Sequence, residues 1–224
     1  MIQHNAIMWG GTGQAIVNRP ILERMGYKII AIFDDTSNLI PPFADIPLFL
    51  GWDGFKILRD MSHVGFCIAI GNPHGNVRCE LHETLIASGL HPINLIHHTA
   101  FVSDDATIIR SGCQIMAGAV IQPRVRIGRQ CIINTKASVD HECVLDDGVE
   151  IAPGATLCGD VHVKRNGWIC AGATVCPRVT IGENSIVAAG SIVLTDVPDN
   201  TKVYGVWTKK QAMSYKKPPM EYSL

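Results

Sequence analysis

Residues 133–161, INTKASVDHECVLDDGVEIAPGATLCGDV, hold the densest chemistry in the 224-residue chain. His141 and Glu142 are adjacent, Asn134 lies seven residues before the histidine, and Gly159 follows it by eighteen. An imidazole titrates near neutrality, so a histidine beside a carboxylate suits removal of a proton from an attacking amine or hydroxyl. A second group of residues opens the chain. Trp9-Gly10-Gly11-Thr12-Gly13-Gln14 is a glycine-rich turn between a strand-like and a helix-like segment. Backbone N–H groups in such a turn cradle phosphate. An acidic residue about twenty positions further on meets a ribose in folds of this kind. Asp34 and Asp35 have that spacing, and Gly71-Asn72 closes a later strand. A full dinucleotide fingerprint is absent, so a nicotinamide cofactor is not expected. Arg78, seven residues after Gly71, reads either as a phosphate ligand or as a surface helix residue, and Trp9 and Trp52 either pack or stack on a base.

The elements that must position these residues fall into two regions. Residues 1–98 alternate strands and helices, which predicts a small parallel α/β sheet. Strands are expected at Asn5–Trp9, Lys28–Phe33, Val64–Ile70 and His91–Ile96. Helices are expected at Gln14–Met25, with Pro20 as a weak point, at Gly54–Met61, and at Asn76–Ser88, with Gly89 as its stop.

Beyond this region the period changes. From Ile109 to Val193 every sixth residue is Ile, Leu or Val, and the residue four places after each is small or short. Six is neither a helix nor a plain strand period. It fits a short strand plus a turn, three to a coil, stacked into a solenoid. Residues 109–198 then hold five coils of eighteen residues, and residues 97–108 form an imperfect opening coil. Cys113, Cys131 and Cys143 occupy the small position and read as core. Stacking at about 4.8 Å puts Gly159 directly above His141, where its N–H can face a carbonyl held beside the imidazole. Ala171 and Ala189 are also one coil apart, on a different face.

Composition narrows the function classes. The formal net charge is −1, with no basic stripe for nucleic acid. No apolar run reaches the roughly 18–20 residues of a membrane helix. The N-terminus lacks the basic and apolar stretches of a signal peptide. Eight cysteines without a CxxC pair predict reduced packing residues and a cytoplasmic chain. Only His141 and His162 fall within residues 109–198, too few for a three-histidine zinc site, so no metal is expected.

The repeat resembles the hexapeptide-repeat acyltransferases. The whole chain, with its N-terminal α/β part and its Gly205-Val206-Trp207-Thr208-Lys209 ending, resembles the bacterial sugar acetyltransferases of the PglD/NeuD type. That resemblance implies a Rossmann-like domain over 1–98, a left-handed parallel β-helix over 99–200, a tail over 201–224, and a homotrimer with sites between subunits. The implied activity is transfer of acetyl from acetyl-CoA to the 4-amino group of a nucleotide-linked amino-deoxy sugar. O-acetylation of a sialic-acid-type sugar is the alternative. The resemblance implies His141 as general base, with Glu142 and Asn134 supporting it. It assigns acetyl-CoA contacts to Gly159, Ala171, Ala189 and Lys209, and nucleotide-sugar contacts to Gly10, Gly11, Gly13, Asp34, Asp35, Gly71 and Asn72. The chain departs from the family at Met8 and Thr12 in the first turn. It departs again at Glu150, which stands where the family can carry a second histidine and reads as an exposed turn residue.

Overall fold

The computed structural model describes residues 4–56, 63–71, 73–105 and 107–208. The N-terminal unit is a parallel sheet built from β1 (His4–Trp9), β2 (Tyr27–Asp34), β3 (Leu48–Leu50), β4 (Gly65–Ile68) and β5 (His91–Pro92), in the order β3-β2-β1-β4-β5. Its helices are α1 (Gly13–Arg24), α2 (Gly51–Phe55) and α3 (Gly75–Ala87). The strand order reverses between β1 and β4. Their C-terminal loops therefore flank the crevice where sheets of this type take ligands. Helix α1 continues through Pro20, which forgoes one backbone bond. Strand β3 carries no sequence signal, being three residues long and half exposed. Part of the helix expected at Gly54–Met61 lies outside the described residues. Trp9 is buried against Phe33, Trp52 and Phe55 at ring separations of 5.4, 4.2 and 5.9 Å, which assigns it to packing.

The hexads fold as the period predicts. Each gives a two-residue parallel strand, and the strands stack into three faces. The first face includes Val120–Ile121, Ser138–Val139 and Thr156–Leu157. The second includes Arg126–Ile127, Val144–Leu145 and His162–Val163. The third includes Ile132–Ile133, Glu150–Ile151 and Trp168–Ile169. The aliphatic stripe and the small residues fill the prism, with Ile121, Ala137, Val139, Cys143 and Leu157 fully buried. All eight cysteines are free thiols. The expected strand His91–Ile96 divides. His91–Pro92 stays with the N-terminal sheet, whereas Leu95–Ile96 pairs with Gln114–Ile115 on the third face. The solenoid ladder thus begins before residue 99, and it continues past 200 through Lys202–Val203 and Val206–Trp207.

Each corner of the prism turns on one left-handed residue. From Gly112 to Gly190 every sixth residue has positive φ. Gly112, Gly118, Gly148, Gly154, Gly172 and Gly190 adopt it freely, while Arg124, Gln130, Lys136, Glu142, Asp160, Asn166, Arg178 and Asn184 adopt it under strain.

The N-terminal unit covers the third face. Gln114, Ile132 and Glu150 point outward there, yet they are 1%, 0% and 7% exposed. Glu150 is therefore a buried strand residue rather than an exposed turn. No helix among the described residues is long and apolar enough to cross a membrane.

Candidate active site

His141, Glu142 and Gly159 share the corner between the first and second faces. The stacking register puts Gly159 one coil above His141, and the two are in contact. A Cβ added to Gly159 would lie 2.4 Å from both Cε1 and Nε2 of the imidazole. A side chain there would push the imidazole aside, so glycine is what lets the ring pack on this Cα. The His141 side chain is 57% exposed, so both solvent and ligand reach it. Its Nδ1 lies 3.2 Å from Glu142 Oε2. That contact favours the tautomer with hydrogen on Nδ1, which leaves Nε2, the nitrogen over Gly159, with a free lone pair. Asp140 Oδ1 accepts the His141 backbone N–H at 2.8 Å, and Arg124 holds Glu142 Oε1 from one coil below at 3.6 Å. The Gly159 N–H has no partner among the described residues. An imidazole able to accept a proton and an unspent N–H donor therefore stand side by side. An open pocket of about 460 Å³ lies here, lined by Asp140, His141, Glu142, Gly159, Pro177 and Arg178 among others.

Asn134 is not part of this cluster. It sits at the preceding corner, between the third and first faces, and its amide donates to Glu150 Oε1 at 3.4 Å. Its Oδ1 accepts the Thr135 N–H. Within one chain it does not support His141. Ala171 and Ala189 lie at the same corner as Asn134, exposed and one coil apart, with their N–H groups unpartnered among the described residues. Lys209 lies outside the described residues. A larger concavity of about 540 Å³ opens on the second face beside Arg110, Arg126 and Arg165, and none of the expected site residues lines it.

In the N-terminal unit, Gly10 has φ 105° and packs against Ala69, whose carbonyl oxygen would lie 2.3 Å from an added Cβ. The close approach of the β1 and β4 ends thus demands glycine. Gly13 opens α1; the Ala15 N–H bonds Thr12 O at 3.0 Å, which leaves the Gly13 and Gln14 N–H groups without a partner among the described residues. Asp34 is engaged in shaping this loop. Its Oδ2 accepts the Gly11 N–H at 2.7 Å and its Oδ1 the Thr36 N–H at 2.9 Å. Asp35 is exposed beside Gly51. Gly71 is half-buried at the end of β4, and Asn72 lies outside the described residues.

Arg78 fits neither of its two sequence readings. It is fully buried and donates to Gln130 O at 3.0 Å, Ile70 O at 3.2 Å and Gly148 O at 2.8 Å. Burial pushes the pKa of this guanidinium down, and the Glu150 carboxylate is the first influence to oppose that. The sequence carries no signal for this contact, whose partners stand 52 and 70 residues away.

Comparison with known proteins places this geometry in a class. The bacterial transferase hexapeptide family model, of six repeats, matches residues 106–141. GDP-perosamine N-acetyltransferase of Escherichia coli O157:H7 is 32% identical over 161 residues, covering 69% of this chain and 67% of that protein. The chain belongs to the hexapeptide-repeat sugar acetyltransferases, and it is an acyltransferase.

Among solved structures it is similar to PerB from Caulobacter crescentus in complex with CoA and GDP-perosamine. That match has 31% identity and a TM-score of 0.80 over 88% of this chain and 92% of the other. It is also similar to the acetyltransferase domain of PglB from Neisseria gonorrhoeae in complex with acetyl coenzyme A. There the identity is 29% and the TM-score 0.81, over 91% and 97% of the two chains.

Proposed function

We propose that the chain transfers acetyl from acetyl-CoA to the 4-amino group of a nucleotide-linked amino-deoxy sugar. The observation that carries this reading is the His141–Glu142–Gly159 corner. Glu142 holds Nδ1, Nε2 takes the proton of the attacking amine, and the Gly159 N–H stabilises the oxyanion that forms on the thioester carbonyl. The C–N bond forms first and gives the oxyanion; as that adduct collapses the C–S bond breaks, the proton held on Nε2 passes to the sulfur, and CoA leaves as its thiol. No covalent enzyme intermediate enters this path.

The nucleotide occupies the crevice at Gly10–Gly13, Gly71 and Asn72, in a Rossmann-like unit over 1–98. The pantetheine arm runs past the free N–H groups of Ala171 and Ala189, and Lys209 meets a CoA phosphate. His141 and Ala171 sit at different corners of one prism. A homotrimer of left-handed β-helices brings one chain's His141 corner to its neighbour's Asn134–Ala171 corner, and there Asn134 assists the base. The substrates named place the enzyme in the cytoplasm. Relatives that bind GDP-perosamine with CoA support the substrate class.

The test is incubation with acetyl-CoA and a panel of nucleotide-linked 4-amino sugars, read by product mass. One acetyl group is gained on one donor, and His141→Ala lowers kcat on the order of 10²–10⁴-fold. Full activity of His141→Ala at saturating substrate overturns the assignment. Transfer to a sugar hydroxyl alone replaces the amine with an alcohol acceptor.

A further inference from the structure

The two units meet through polar contacts, exposed at Arg129–Glu83 and buried at Gln130–His82 and Asn18–Gln114. Arg129 bonds Asp147 within the solenoid and reaches Glu83 near the middle of α3. Gln130 Nε2 meets His82 Nδ1 at 2.8 Å. Gln114 receives Gln14 and Asn18 from α1 and donates to Ile68 O at 2.7 Å. These contacts link the sheet and its helices to the third face.

Arg78 does something different. The acceptors that the described residues give it include Gln130 and Gly148 on successive coils, and Ile70 just beyond β4. Ile70 immediately precedes Gly71 in the crevice loop. The N-terminus of α3 is pressed on the same corner, since a Cβ on Gly75 would lie 2.3 Å from Gly148 O. A guanidinium is a rigid planar fork, so binding all three carbonyls fixes their relative positions. A buried charge is a costly way to join two surfaces that apolar residues would join as well.

We propose that Arg78 is a positioning residue for nucleotide-sugar binding, which sets the crevice loop after β4 at a fixed height against the coils of the solenoid. This rests on the reading that the crevice holds the nucleotide. The side chain need not touch the ligand; it holds the loop that does.

The test compares Arg78→Lys and Arg78→Met with Arg129→Gln, which loosens the same interface without touching the loop. In the Arg78 variants kcat/KM for the nucleotide sugar falls at least about tenfold while the KM for acetyl-CoA stays within about twofold. Lysine keeps the charge opposite Glu150 but lacks the fork, so it does not rescue. Arg129→Gln leaves both constants within about twofold. Rescue by lysine, or equal losses for both substrates in all three variants, overturns the proposal.

Should neither Arg78 variant fold, hydrogen exchange on the unaltered protein decides, with GDP, UDP and dTDP added in turn. Slowed exchange at Ile70–Gly71 together with the turns at Gln130 and Gly148 is expected. Slowing confined to Gly10–Gly13 and Ile70–Gly71 overturns the positioning role and leaves the nucleotide site standing. Slowing at none of them overturns both.

Discussion

Glu142 keeps a backbone conformation that a glycine would hold without strain. Its φ is 62°, at a position where six other corners of the solenoid use glycine. A left-handed non-glycine residue costs about 1–2 kcal/mol, so the carboxylate facing His141 Nδ1 is retained against a local penalty. Gly159 shows the converse, since its bare Cα is what lets the imidazole pack against it. Gly159→Ala is expected to displace the His141 ring and lower kcat roughly 10²-fold, with the thermal unfolding midpoint nearly unchanged, as steady-state assay and calorimetry will show. His141, Glu142 and Gly159 were legible in the sequence because adjacency and an eighteen-residue spacing survive in one dimension. Arg78 and Glu150 were not. Their burial comes from a unit tens of residues away, and neither residue type announces a buried place.

Among the elements, the hexads were legible and their corners were not. The aliphatic stripe is continuous, whereas the left-handed residue is glycine at only some corners, so glycine spacing hides a conformation that recurs every six residues. Strand β3 and the split of His91–Ile96 between two sheets escaped for a related reason. Two- and three-residue strands take their identity from their partners, not from their own side chains. The seam between the units depends on such partners too. Gln114→Leu would take from the Ile68 carbonyl its bond to Gln114, and from the Gln14 and Asn18 amides their shared acceptor, leaving Asn18 Nδ2 with Cys67 Sγ. Each orphaned group costs about 1–3 kcal/mol, so the urea midpoint is expected to fall with the slope of the transition unchanged.

For the whole molecule, the two corners that carry the proposed site residues lie at opposite edges of the first face. In the proposed homotrimer, two inactive chains should therefore repair one another. His141→Ala mixed with Ala189→Arg, unfolded and refolded together, is expected to recover activity at about a quarter of the sites of a random trimer. Refolding each variant alone is expected to recover none, and a mixture that stays silent removes the shared site. The same stacking limits how a gene for this fold can change in length. Deleting eighteen residues shortens the prism and keeps every face in place. Deleting six keeps the aliphatic stripe intact but rotates everything beyond the cut by a third of a turn. Such a cut between His141 and Gly159 would preserve a well-packed chain and carry the free N–H to another edge, so viable length variants in this region should come in whole coils.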